Sequence, residues 1–255
     1  MPDLTLVMLG AGSSSRFHQK TKKQWLRIGD VPLWLFSTQN LAKLYPFKHI
    51  IVTAHCDELA YVKKFSDTIT FVEGGQTRQA SLLNALSYVT TSHVLVSDIA
   101  RPFVDQAMLD RILEPIQRAD CVVPFLPVVD TVVYETSSID RESVKLIQTP
   151  QLSLTSTLKK ALQTDMLYTD ESTAIAAMGG NVVYVLGDMK AKKLTRKEDL
   201  TLFSDLQAPL RDSFVGYGFD VHAYEENKAM MLCGVEVHPT IGFRAHSDGD
   251  VAIHA

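Results

Sequence analysis

Short runs rich in Val and Ile recur through the first two hundred residues: LTLVML (4–9), HIIVTA (49–54), TITFVE (68–73), HVLVSD (93–98), CVVPFL (121–126) and NVVYVL (181–186). Between several of them lie segments with helical spacing: PLWLFSTQNLAKLY (32–45), RQASLLNALSYV (78–89) and QAMLDRILEPIQRA (106–119). Strands joined through helices return parallel to one another, so this alternation predicts an α/β fold with a Rossmann-like, doubly wound and mainly parallel sheet. Such sheets bind ligands in the loops at the carboxyl ends of their strands. In this chain GAGSSSR follows the first run, GGQTR the third and DIARP the fourth.

One segment breaks the alternation. DTVVYETSSIDRESVKLIQTP (130–150) holds extended stretches around the turn-like SSID, which predicts a β-arm leaving the sheet. Near residue 210 a Pro-containing connector, DLQAPLR, gives way to the new pattern FVGYGFDVH. The expected domains are 1–210 and 213–255, the latter the start of an α+β domain.

A formal net charge of −4, with basic residues spread along the chain, leaves no footprint for nucleic acid. The three cysteines are odd in number and far apart, as expected of reduced thiols. No basic segment precedes an apolar run at the N-terminus, and no apolar run approaches the roughly 20 residues of a membrane span. A soluble, cytoplasmic protein without a membrane partner is expected.

In LGAGSSSRF (9–17) a strand runs into Gly10, Ala11 and Gly12, where backbone N–H groups can approach a polyphosphate. Arg16 and, from KTKKQWL (20–26), Lys23 supply positive charge. Alone, this reads equally well as an ordinary βα turn, since a single glycine-rich turn is weak evidence. GGQTRQAS (74–81) adds Gly75 and Ser81 in a second such loop. Asp98 ends a strand, where a carboxylate can hold Mg²⁺ or cap a helix.

Together these loops resemble the nucleotidyltransferases with a Rossmann-like sheet and, more narrowly, the 2-C-methyl-D-erythritol 4-phosphate cytidylyltransferase family. The likeness runs from residue 4 to about 206 and includes Asp130–Thr131, Asp140–Arg141, TPQ (149–151), YTDEST (168–173) and KKLTRKEDL (192–200). It implies that the Gly10–Gly12 loop, Arg16 and Lys23 bind the CTP triphosphate. Gly75, Gln76 and Ser81 would surround the cytosine and ribose, Asp98 would bind Mg²⁺, and Lys193 would sit near the α-phosphate. Arg101, Thr131, Arg141, Thr149 and Thr169 would hold methylerythritol phosphate, with Arg141 and Thr149 reaching in from the arm of a partner in a homodimer. The chain departs from the family pattern at Gly10 and Ala11, where two alanines are usual, and at Ser14, where a glycine is frequent.

Asp220, His222, His246, Asp248, Asp250 and His254 crowd the end of the chain. Asp220 and His222 alternate in the extended-looking GFDVHA, which predicts a shared strand face. Asp250 and His254 are four apart, as on one helix face, and Ser247 or Asp248 fits a helix cap. A D-x-H pair alone is commonly a surface pair. Together, GFDVHA and AHSDGDVAIHA resemble the start of the 2-C-methyl-D-erythritol 2,4-cyclodiphosphate synthase family. The resemblance implies Zn²⁺ or another divalent metal on Asp220, His222 and His254, with His246 and Ser247 facing a substrate phosphate. Since residues 213–255 match only the first part of that domain, a shortened copy of a bifunctional enzyme is expected. Cyclisation and a trimer would then need the complete second domain. The readings left open are a nucleotidyltransferase for another sugar phosphate and a silent nucleotide-binding regulator.

Overall fold

The computed structural model describes residues 2–18, 21–203, 206–207, 216–245 and 249. The chain divides into two units, Met1–Pro209 and Leu210–Ala255. Among the described residues no helix is long and apolar enough to cross a membrane.

In chain order the strands of the first unit begin with β1 (Leu4–Leu9) and the short hairpin of β2 (Arg27–Ile28) and β3 (Val31–Pro32). Then come β4 (His49–Ala54), β5 (Thr70–Glu73), β6 (His93–Asp98) and β7 (Cys121–Pro127). The arm strands β8 (Val132–Tyr134) and β9 (Ser137–Ile139) precede β10 (Lys145–Ile147), β11 (Gln151–Leu154) and β12 (Val182–Leu186). The helices are α1 (Leu33–Leu44), α2 (Cys56–Val62), α3 (Arg78–Leu86), α4 (Gln106–Leu113), α5 (Thr155–Ala161) and α6 (Glu171–Ala177).

β1 pairs in parallel with β4 on one side and β6 on the other, β4 pairs in parallel with β5, and β12 with β7. The chain therefore reverses its direction of sheet growth at β1, the switch point where such folds open a crevice at the strand ends. β11 runs antiparallel between β6 and β7, and β10 continues its line against the end of β7.

Alternation along β1 explains the two cores. Leu4, Leu6 and Met8 face a cluster with Trp34 and Leu41 of α1 and Met108 and Ile112 of α4. Val7 faces the other cluster, with Leu82 of α3, Leu158 of α5 and Ile175 of α6. Both faces are covered, so the central strands are apolar throughout rather than alternating. α4 stops at Leu113, short of the predicted residue 119, because Pro115 lies just ahead and cannot continue a helix.

The arm turns elsewhere than the sequence predicts. SSID is mostly strand β9, and the two-residue turn is Glu135–Thr136, with Tyr134 paired to Ser137 and Glu135 at φ 55°. In the second unit β14 (Tyr224–Glu226) pairs with β17 (Ile241–Phe243), and β15 (Met230–Leu232) with β16 (Val235–His238). Cys233 and Gly234 link the latter pair, both at positive φ, the backbone a tight hairpin turn needs. β13 (Leu206–Gln207) pairs with β2 in the first unit.

Candidate active site

Two cavities, about 520 Å³ and about 310 Å³, open at the carboxyl ends of the strands. Arg78, Asp98 and Lys193 line both and form a shared wall.

The glycine-rich loop borders the first cavity because it leaves β1 against β4. The N–H of Gly10 donates to the carbonyl and hydroxyl oxygens of Thr53, both at 3.1 Å. A Cβ on Gly10 would lie 2.8 Å from that carbonyl, so an alanine there would push the strands apart. Gly74 is tighter still, since its Cβ would meet that of Ala11 at 2.1 Å. Gly10, Ala11, Gly12, Arg16, Lys23, Gly75, Gln76 and Ser81 all line this cavity. Ser81 also shapes the loop itself, since its Oγ accepts from the Gly75 N–H at 3.0 Å and lies 2.9 Å from Thr77 O.

Lys23 contributes the cavity's most perturbed ammonium. Burial, then the neighbouring positive charge of Lys193, pull its pKa down to about 8 against the opposing pull of Asp98. Its Nζ donates to Leu194 O at 3.4 Å. Asp98 ends β6 almost fully buried, with Oδ2 2.8 Å from Lys193 Nζ and Oδ1 3.6 Å from Arg78 Nε. Burial alone would raise its pKa, but Lys193 and Arg78 outweigh it and hold the carboxyl well below the usual carboxylate range.

Arg101, Thr149 and Thr169 line the second cavity. The Thr149 hydroxyl lies 3.5 Å from Asp98 Oδ2 and accepts from the Asp98 N–H at 3.3 Å. Thr149 thus belongs to its own chain's cavity, against the expectation that a partner's arm supplies it. Its neighbours in β10 and β11 are folded back into the sheet, so it lies beyond the arm. Arg101 donates to Ala191 O at 2.6 Å, and its Nε is buried without a partner. Thr131 and Arg141 lie on the exposed arm and line neither cavity, and Arg141 donates to Val129 O at 2.7 Å.

Sequence reasoning gave no role to Arg78 or Glu171. Fully buried Glu171 takes the Arg78 guanidinium in a fork, at 2.8 and 3.3 Å. The two lie 93 residues apart, a separation that no spacing rule detects. Both fall inside the motif segments GGQTRQAS and YTDEST, which was the one available signal.

In the second unit, residues 216–223 form no regular strand, contrary to the reading of GFDVHA. Asp220 and His222 nevertheless converge, with Oδ2 and Nε2 2.7 Å apart. His222 Nε2 is buried and makes no hydrogen bond of proper geometry. His246, Ser247, Asp248, Asp250 and His254 lie outside the described residues.

A switch-point crevice with paired cavities, lysines and a buried carboxylate on their common wall is the site of a nucleotidyltransferase-type α/β enzyme. Residues 4–206 match the family model described as 2-C-methyl-D-erythritol 4-phosphate cytidylyltransferase, and residues 213–255 match the YgbB family. The bifunctional enzyme IspD/IspF of Campylobacter concisus is 53% identical over all of this chain, which covers 68% of that relative. The solved bifunctional IspDF of Campylobacter jejuni superposes with a TM-score of 0.76 at 49% identity, over 99% of this chain and 68% of that one. A 2-C-methyl-D-erythritol 4-phosphate cytidylyltransferase from Thermus thermophilus gives 0.64 at 28% identity, over 77% and 95%. The chain belongs to the 2-C-methyl-D-erythritol 4-phosphate cytidylyltransferase family, in the bifunctional form that continues into a YgbB domain. It is a transferase of isoprenoid biosynthesis, in a family that depends on divalent metal.

Proposed function

We propose that CTP occupies the first cavity and 2-C-methyl-D-erythritol 4-phosphate the second, and that the cytidylyl group passes between them across the shared wall. One observation carries this reading: Arg78, Asp98 and Lys193 border both cavities, so two phosphate-bearing reactants would meet over the same charges. A phosphate oxygen of the methylerythritol substrate attacks the α-phosphorus of CTP in line. The bond from the α-phosphorus to its bridging oxygen breaks, and pyrophosphate leaves with that oxygen. No covalent intermediate on the protein is needed, so the chain's work is to align two anions and offset their charge.

Arg16 and Lys23 would neutralise the triphosphate and Lys193 the α-phosphate. Backbone groups of Gly10, Ala11 and Gly12 would seat the phosphates, and Gly75 and Gln76 the nucleoside. Arg101, with its unpartnered buried Nε, suits the phosphate of the acceptor, beside Thr149 and Thr169. Thr131 and Arg141 would act from the arm of a second copy in a homodimer. Asp98 fits Mg²⁺, which takes one or two carboxylates and completes its shell with substrate phosphates and water. When bound, the ion would supply charge to the phosphates.

In the second unit, the nitrogen and oxygen donors of His222 and Asp220 suit Zn²⁺, with His254 as the third ligand. His246 and Ser247 would face a substrate phosphate. The complete second domain would form a trimer, and the enzyme would work in the cytoplasm. Pyrophosphate release with each of CTP, ATP, GTP and UTP tests the reading of the first unit. It predicts release only when CTP and methylerythritol phosphate are both present; equal release with another nucleotide, or without methylerythritol phosphate, would overturn it.

A further inference from the structure

We infer that Glu58 is a positioning residue that holds Lys23 in place for the triphosphate; the inference rests on the role given to Lys23 above. Glu58 lies on α2, and its carboxylate takes donors from three residues that surround Lys23. Lys22 Nζ and Trp25 Nε1 both reach Oε1 at 2.9 Å, and Gln24 Nε2 reaches Oε2 at 3.2 Å. Gln24 is buried and carries the tie onward, with Nε2 3.4 Å from Gly12 O and Oε1 accepting from Ser14 Oγ at 2.9 Å. Ser14 Oγ in turn accepts from the Lys23 N–H at 3.3 Å.

The segment needs such a clamp. Lys23–Trp25 is a single 3-10 turn, too short to hold itself. The clamp engages the residues on either side of Lys23 and leaves its own ammonium to the cavity. Ser14 sits at φ 57°, a conformation glycine adopts without cost, yet only a side chain there can complete the circuit. Burial would raise the Glu58 pKa, but the hydrogen bonds from Trp25, Lys22 and Gln24 outweigh it, so the carboxylate stays ionised.

The test uses the full chain and its variants Glu58→Ala, Glu58→Gln, Lys23→Ala and the double Glu58→Ala/Lys23→Ala. Kinetics are measured with each substrate varied in turn, and indole emission is followed because Trp25 loses its acceptor while Trp34 stays in the core. Glu58→Ala should lower kcat/KM for CTP about tenfold to a hundredfold and shift the emission, while KM for methylerythritol phosphate changes less than about twofold. Glu58→Gln, which keeps an acceptor for the indole, should lose less, and it carries the test if Glu58→Ala does not fold. The double variant should be no worse than Lys23→Ala by more than about twofold, because residues acting as one unit are not additive. Parental kcat/KM in Glu58→Ala would overturn the inference. So would full multiplication of the two effects in the double variant. Near-normal turnover by Lys23→Ala alone would instead refute the role of Lys23.

Discussion

Lys193 Nζ and Asp98 Oδ2 lie 2.8 Å apart on the wall common to both cavities. Lys193 keeps the Asp98 carboxylate charged in a place where burial alone would discharge it. Replacing Asp98 with Asn should lower turnover by about 10²–10³, the scale of losing one preorganised electrostatic group. Steady-state pyrophosphate release measures this. Because the folded carboxyl titrates below its unfolded value, its stabilising effect is present above the unfolded pKa and is lost as pH falls through the folded one. Asp98→Asn should therefore flatten the acid limb of the stability curve, read by denaturant titration at several pH values.

The Lys23 ammonium should limit the enzyme on the alkaline side. With a pKa of about 8, it loses its proton as pH rises through that value, and with it the charge that attracts the triphosphate. The pH profile of kcat/KM for CTP should fall above about 8, since this ratio reports the free enzyme. Lys23→Arg should move the fall to higher pH, because a guanidinium stays charged there. The same depression lets folded-state stability rise with pH between the folded and unfolded values, a trend Lys23→Arg should abolish.

Fully buried Glu171 compensates the half-buried Arg78. Glu171→Gln should cost about 1.5–3 kcal/mol, because it removes the charged acceptor of the half-buried Arg78 guanidinium, which keeps only Asp98 beside it. Chemical denaturation checks the figure, and Glu171→Gln/Arg78→Met should recover part of the loss.

Gly74→Ala should displace the glycine-rich loop, since the new methyl would meet Ala11 Cβ at 2.1 Å. A KM for CTP raised about tenfold or more is expected, with the fold retained. Binding of CTP followed by calorimetry separates this from a general loss of folding.

His222→Ala should leave cytidylyl transfer within about twofold of the parent, because its partner is Asp220 in the second unit. Zinc content by atomic emission should fall in the same variant.

The sheet was legible because its buried strands are continuous apolar runs and its helices keep one apolar stripe. The site loops were legible because the fold puts them at strand ends, and Gly10, Lys23, Asp98 and Lys193 do border one cavity. β11 was missed as a strand: four residues, QLSL, carry no periodicity, and their place is set by pairing with β6 and β7. The arm's turn was misplaced because Glu135, a residue uncommon at positive φ, makes it. Arg78–Glu171 and the Glu58 clamp join distant segments, and pairings of that kind exist only once the chain has folded.

The most direct measurement follows oxygen. Methylerythritol phosphate labelled with ¹⁸O in its non-bridging phosphate oxygens is turned over with CTP, and the products are read by ³¹P NMR and mass spectrometry. Direct attack across the shared wall predicts that all the label stays in the cytidylylated product, one labelled oxygen bridging the two phosphorus atoms, and that pyrophosphate is unlabelled. Label in pyrophosphate, or a cytidylylated protein trapped when the acceptor is withheld, would contradict it.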